Sequence, residues 1–359
     1  MPNPYEIRPV TAADRGRWQS VVAAHPSATV FHTWAWLTAV DAAFAYDHDH
    51  YLVYETGGSE PVGAVPGFSV AGTGGWTVVN PFCEYGFPLL DADVDPVPVL
   101  RALAADVGPL GARVLKDAGW TANRAYNAAG YGAVRTGEVT RLDTDRPFEA
   151  VRERSFTGET RRCLRSASEG GVTVRPASVE EYYPLYLATM ERLGSPQFPE
   201  RFFRDLAAEL ADDLLVLVAE RDGVGGTGAD GDESGDDPIG GILALDHDGV
   251  RMIWSNASRR DAWDVHPNHR LYAAAIEDAC ETGIEVVDFG RSRPESGVHD
   301  FKQGFGGQPS PLASFVTPPH RSGRASLEGY GKAAAVAERF SPVLTHPAVG
   351  PRLKRFIHE

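Results

Sequence analysis

The sequence predicts a mixed α/β fold, with mixed sheets, built from two tandem copies of one unit. Three observations carry this. The pattern of apolar residues yields the same succession of strands and helices twice. A length of 359 residues fits two units of about 150 residues better than one large sheet. The 43% apolar content is enough for two cores.

In the first copy a strand is expected at Tyr5–Val10, followed by a helix opened by Thr11 with Asp14 three residues on, the spacing of a capping box. A second helix is expected near Thr33–Phe44. Strands follow at Tyr51–Glu55, Val62–Val70 and Trp76–Val79, then a helix near Val97–Val107. A strand at Ala112–Lys116, a helix near Thr121–Ala129 and a strand near Val139–Leu142 complete the copy.

The second copy follows a basic helix, Thr160–Ser168, and opens with a strand at Gly171–Arg175. Ser178 caps a helix running to Leu193, with Glu181 at its third position, and another helix covers Glu200–Ala211. Strands are expected at Leu214–Glu220, Ile239–Leu245 and Val250–Ser255. A helix at Asn268–Thr282, a strand at Glu285–Phe289, a helical stretch near His299–Gly306 and a strand at Leu312–Val316 repeat the earlier order.

These patterns predict one domain over residues 1–146, a second over 147–318, and a tail over 319–359 with a weak helix near Leu327–Phe340. The acidic segment Gly223–Asp237 has too few apolar residues to order itself and reads as a disordered hairpin insertion. Its Asp230–Gly235 stretch resembles the front of a calcium loop. The twelfth position, however, is Gly241 where a bidentate Glu is required, so calcium is not expected.

The chain has 49 Asp+Glu against 34 Lys+Arg, a formal charge of −15, and only four lysines: Lys116, Lys302, Lys332 and Lys354. Acid excess with scarce lysine suits a protein that stays hydrated in concentrated salt, so a halophilic source is expected. The acidity argues against DNA binding. No apolar run is long enough for a membrane span and no leader pattern opens the chain, so the expected location is cytoplasmic, and a monomer is expected. Cys83, Cys163 and Cys280 lie far apart without a CxxC, which predicts reduced thiols and no metal site.

No P-loop, dinucleotide fingerprint or nucleophile elbow in the right context is present. Asp47-His48-Asp49-His50 reads as a solvated loop. The informative stretch is Asp288-Phe289-Gly290-Arg291-Ser292 with Ser296-Gly297-Val298-His299-Asp300-Phe301-Lys302-Gln303-Gly304-Phe305-Gly306. A short apolar strand opens into a Gly/Ser loop, and an isolated lysine stands among aromatics and glycines. The carboxyl end of such a strand is where substrates usually sit in α/β sheets. Lys302 is therefore the candidate for chemistry, in a chain that has replaced nearly all its lysines.

Those two motifs, together with Arg162-Cys163-Leu164-Arg165-Ser166-Ala167 leading to Gly170-Gly171-Val172, resemble the Fem-type aminoacyltransferases, across about residues 1–318. That family has two tandem GNAT-like domains, the architecture the repeat implies. The resemblance implies transfer of an aminoacyl group from aminoacyl-tRNA, the co-substrate, to an amine such as a cell-envelope precursor. It places Phe301 at the aminoacyl end of the tRNA and gives Lys302 the stabilisation of the tetrahedral intermediate. Arg291 would join them on the donor side. Trp36, Glu84, Tyr85 and Arg192 are acceptor-side candidates, and His299 is the nearest candidate for a base. The arginines of Arg161–Arg165 would contact the tRNA acceptor end.

No resident cofactor is expected. A coenzyme A grip needs glycines at a helix N-terminus, and the matching stretch, His266-Pro267-Asn268-His269-Arg270-Leu271-Tyr272, has none. Two alternatives stay open: a CoA-dependent GNAT N-acetyltransferase, and a non-catalytic module that binds a precursor.

Overall fold

The computed structural model describes residues 3–72, 75–108, 111–118, 123–221, 238–324, 345–346 and 349–356. The insertion expected at 223–237 and the helix expected near Leu327–Phe340 lie outside them. The chain forms two compact units, Met1–Glu138 with Ser310–Glu359, and Val139–Pro309.

The first unit opens with β1 (Tyr5–Pro9). Asp14 Oδ2 then accepts the Thr11 N–H at 3.0 Å, and this box starts a 3-10 turn that runs into α1 (Arg15–Ala24). Thr33 caps α2 (Trp34–Phe44), accepting the Trp36 N–H. Next come β2 (Asp47–His48), β3 (Tyr51–Glu55), β4 (Pro61–Val65), β5 (Phe68–Gly72), β6 (Gly75–Val79) and β7 (Leu89–Leu90).

The single strand expected over Val62–Val70 is two strands, parted at Pro66-Gly67, because a proline has no N–H for the ladder. β4 joins the sheet β1–β3–β4–β7, and β5 pairs with β6 and β2. Asp95 caps α3 (Pro96–Ala105), whose crossover brings β8 (Gly111–Ala118) parallel to β6. After α4 (Asn123–Ala128) comes β9 (Gly132–Asp143), twelve residues long where four were expected, and its last five belong to the second unit.

The second unit continues with α5 (Phe148–Arg154), which the periodicity did not reveal, and α6 (Gly158–Glu169), capped by Thr157. Then follow β10 (Val172–Pro176), α7 (Val179–Leu193), α8 (Glu200–Leu210), β11 (Leu214–Arg221), β12 (Gly240–His247), β13 (Val250–Ser258), α9 (Pro267–Thr282), β14 (Val286–Ser292), α10 (Gly297–Gly304) and β15 (Gln308–Thr317). Ser178 and Glu181 form the expected capping box of α7.

The sheet of this unit runs β10–β11–β12–β13–β14–β9. Its first four strands are an antiparallel meander, and β14 returns parallel to β13 through α9, repeating the β6–α3–β8 crossover of the first unit. Leu271, Ala275, Ile276 and Ala279 of α9 are fully buried against the sheet, a stripe at helical spacing. From Ser310 onward, β15 belongs to the first unit and pairs antiparallel with β8, Leu312 opposite Ala118. There Phe315 stacks on Tyr126 with ring centroids 3.9 Å apart. A last helix, α11 (Gly350–Lys354), also lies in the first unit.

Candidate functional site

β13 and β14 are in register only from Val250↔Val286 to Met252↔Asp288, yet β13 continues to Ser258 and β14 to Ser292. A register shift in the β12–β13 pairing, where Leu243 faces Ser255 and Ala244 faces Ile253, leaves Trp254 as an extra residue and bends β13 at the point of parting. The carboxyl end of β14 therefore opens, and polar side chains gather on the β13 side. Tyr182 Oη lies 2.6 Å from Ser255 Oγ, and Asn256 Nδ2 donates to Asn268 Oδ1 at 3.3 Å.

The Asp-Phe-Gly-Arg-Ser run shapes the β14 side. Asp288 is fully buried, accepting from Arg141 Nε and from the Gly290 N–H, both at 2.8 Å. Phe289 enters the core. Gly290 has φ +68°, a left-handed turn of the backbone that a side chain resists. That turn presents successive carbonyls to Lys302, whose Nζ donates to Gly290 O at 2.9 Å and to Arg291 O at 2.7 Å. Lys302 is 5% exposed, on the face of α10 that also carries His299 one turn earlier. His299 Nδ1 lies 3.3 Å from Ser292 Oγ. Arg291 is half-buried.

Phe301 points elsewhere. Its ring packs edge-on against His269 and Tyr272, with centroids 4.9 Å apart in each case, and borders the core of the second unit. Burial pushes the Tyr272 phenol well above its usual range, and it pushes the His269 imidazole down to about 4, helped by the neighbouring His266. Arg192 is exposed at the end of α7, its guanidinium 5.0 Å from the Trp263 ring centroid.

Of the acceptor-side candidates in the first unit, Trp36 and Tyr85 are core residues, 0% and 2% exposed. Trp36 Nε1 donates to Asn80 Oδ1, and Phe31 packs on both rings. Glu84 is half-buried. The structure thus gathers Lys302, Arg291 and His299 at one strand end, while Phe301 and Arg192 stand in other surroundings of the same unit. Within the basic helix, Arg161 donates to Phe156 O at 2.6 Å at the end of α5, Arg162 pairs with Glu159 at 2.5 Å, and Arg165 is exposed.

Asn256, Asn268 and Ser258 form a polar chain, Asn268 Nδ2 donating to Ser258 Oγ at 3.1 Å, that sequence reasoning missed. The one signal was a run of small polar residues ending an apolar strand. The helix start beside it is poorly equipped for a pyrophosphate. Pro267 has no N–H, and the His269 N–H already donates to His266 O at 3.1 Å.

Residues 154–303 match the family model described as Acetyltransferase (GNAT) domain. No curated protein matches the sequence. The fold is similar to that of the crystal structure of FemX, at 14% identity over 87% of this chain and 98% of that one, with a TM-score of 0.63. It is also similar to the C-terminal domain of a putative lysylphosphatidylglycerol synthetase from Agrobacterium fabrum, at 14% identity over 93% and 97% of the two chains, TM-score 0.57. A tandem GNAT protein from the clavulanic acid biosynthesis pathway is similar at 12% identity, over 87% and 98%, TM-score 0.54. The chain has a tandem GNAT-like fold, and within its second unit residues 154–303 match the GNAT acetyltransferase domain model.

Proposed function

We propose that the chain is an acyltransferase that moves an aminoacyl group from an aminoacyl-tRNA to an amine, with the chemistry at the carboxyl end of β14. The observation that carries this reading is the ammonium of Lys302, held against the carbonyls of Gly290 and Arg291 where β13 and β14 part. A positive charge fixed in this way is preorganised for an oxyanion.

The acceptor amine attacks the ester carbonyl, the new C–N bond forms, and the carbonyl oxygen becomes an oxyanion facing Lys302. Collapse breaks the C–O bond, and the ribose oxygen leaves as the tRNA hydroxyl, protonated by the group that took the amine's proton. The proton lost by the amine passes to His299 or to a carboxylate or phosphate of the substrate. Arg291 stands on the donor side. Arg192, exposed on the same unit, is the acceptor-side residue to test.

The start of α9 favours this donor over coenzyme A, because Pro267 and the two imidazoles stand where glycine N–H groups would grip a pyrophosphate. The fold shared with FemX and with a lysylphosphatidylglycerol synthetase domain is compatible with this donor.

The test offers labelled aminoacyl-tRNA and labelled acetyl-CoA separately to the purified chain in molar KCl, with an amine acceptor. Turnover is expected with aminoacyl-tRNA and lost in Lys302→Ala. Turnover with acetyl-CoA alone would replace the donor assignment, and full activity of Lys302→Ala would overturn the role of Lys302.

A further inference from the structure

Three side chains to which the acyl-transfer reading gives no catalytic or substrate-binding role meet where α6 packs on the start of α9. They are Cys163, buried in α6, and His266 and His269, half-buried at the N-terminus of α9. The thiol sulfur and one nitrogen of each imidazole all lie within 4.8 Å of one another. This is the one such group of three among the described residues. Glu159, one helical turn before Cys163, brings Oε1 to 3.7 Å from Sγ, and both its oxygens are held by Arg162, at 2.5 and 3.0 Å.

We propose that Cys163, His266 and His269 form a Zn²⁺ site that ties α6 to the start of α9, with water completing the tetrahedron. One thiolate and two imidazoles suit zinc, and the thiolate argues against the hard cations Mg²⁺ and Ca²⁺. A tetrahedral zinc holds its ligand atoms about 3.4–3.6 Å apart, so the three atoms, all within 4.8 Å of one another, need to close by no more than about 1.4 Å through side-chain rotation.

The local backbone favours convergence. His266 adopts φ +54°, a left-handed conformation uncommon for a side-chain-bearing residue, and it places both rings at the head of one helix, 5.4 Å apart and nearly perpendicular. The His269 ring is steadied edge-on by Phe301, with centroids 4.9 Å apart. The half-buried imidazoles leave a path for the ion from solvent.

The test uses the full chain, stripped with a chelator and dialysed, then titrated with Co²⁺ and followed by absorption, with Zn²⁺ added last. One Co²⁺ per chain is expected, with visible d–d bands of tetrahedral intensity and a near-ultraviolet thiolate-to-cobalt band, all lost on addition of one equivalent of Zn²⁺. Cys163→Ala should lose the charge-transfer band while Cys280→Ala keeps it. His266→Asn, which tolerates the left-handed backbone, should lose the one-to-one transition while keeping the wild-type far-ultraviolet circular dichroism. Failure of the folded wild type to bind one ion, or an unchanged charge-transfer band in Cys163→Ala, would overturn the site. Neither outcome bears on transfer by Lys302, which the titration does not read.

Discussion

Arg141 Nε donates to the fully buried carboxylate of Asp288 across 2.8 Å, joining β9 to β14 within the second unit. The same carboxylate accepts the Gly290 N–H, so it also holds the left-handed turn that aims two carbonyls at Lys302.

Replacing Asp288 with Ala strips partners from the Gly290 amide and from Arg141 together. A loss of about 2–3 kcal/mol is expected for Asp288→Ala in urea unfolding at neutral pH, and about 3 kcal/mol or more for Arg141→Ala, which keeps the Gly290 bond but takes the guanidinium from a fully buried carboxylate. A near-zero loss in Asp288→Ala would show that the turn does not depend on Asp288.

Gly306 closes the Phe301–Gly306 run for a steric reason. It has φ +84°, and a Cβ there would stand 2.6 Å from Ser155 Cβ and closer still to the Ser155 carbonyl. Gly306→Ala combines a strained backbone with a backbone clash, so a destabilisation of about 2–4 kcal/mol is expected in thermal or urea unfolding. A near-neutral result would mean that Ser155 yields at little cost.

Much of the fold was legible because the signals were local. The Ser178–Glu181 box, the Thr33 cap and the apolar stripe of α9 each lie within a few residues, and each element formed where its residues placed it. The break at Pro66-Gly67 was legible too, but a continuous apolar run hid it. The Asp288–Ser292 and Ser296–Gly306 runs of the sequence mark the strand end and the helix that bring Lys302 to the Gly290 turn. What stayed hidden depends on long-range packing. Cys163 lies about a hundred residues before His266, and nothing at either position points to the other. Phe301 looked like a binding ring beside Lys302, yet successive helix positions face different sides, and Phe301 packs on Tyr272 while Lys302 turns to β14.

Burial pushes the His50 imidazole from 6.5 down to about 3, with His48 adding repulsion. Nδ1 accepts the Gly67 N–H at 3.1 Å, and the side chain has little water to solvate a charge. Above pH 6.5 folded and unfolded chains both hold this histidine neutral, so it adds no pH dependence. Between pH 6.5 and about 3 the unfolded chain binds a proton that the folded one refuses, so stability falls as pH falls. Between pH 7.5 and 5 the expected loss is about 2 kcal/mol from this residue. Urea unfolding across that window should show the slope, and His50→Gln should flatten it.

The net charge of −15 sets a second solution property. Self-repulsion among exposed carboxylates acts over a Debye length of about 10 Å at 0.1 M salt and about 3 Å at 1 M. Thermal unfolding in 0.1, 1 and 3 M KCl should give a Tm that rises at each step. A Tm that stays flat or falls would remove the link between the acid excess and salt.

The scarcity of lysine singled out Lys302, and the structure sharpens that argument. Lys116 is also buried, and its Nζ donates to Cys83 O at 3.0 Å; Lys354 is buried over the Phe82 ring. The three lysines among the described residues each set a compact ammonium against backbone carbonyls or an aromatic face, so retention alone does not mark chemistry. The pair Lys116 and Lys302 therefore separates holding from catalysis. Lys116→Met removes one charge-assisted bond to a carbonyl and Lys302→Met removes two, and each should lower stability by about 1–3 kcal/mol. With aminoacyl-tRNA as donor, Lys116→Met should keep transfer once stability is restored by salt. Lys302→Met should lose it by about a hundredfold or more in kcat, the scale of removing one oxyanion donor. Equal losses of stability with equal, modest losses of rate in the two variants would make Lys302 a strap for the turn at Gly290 and would send the search for the stabilising charge to Arg291.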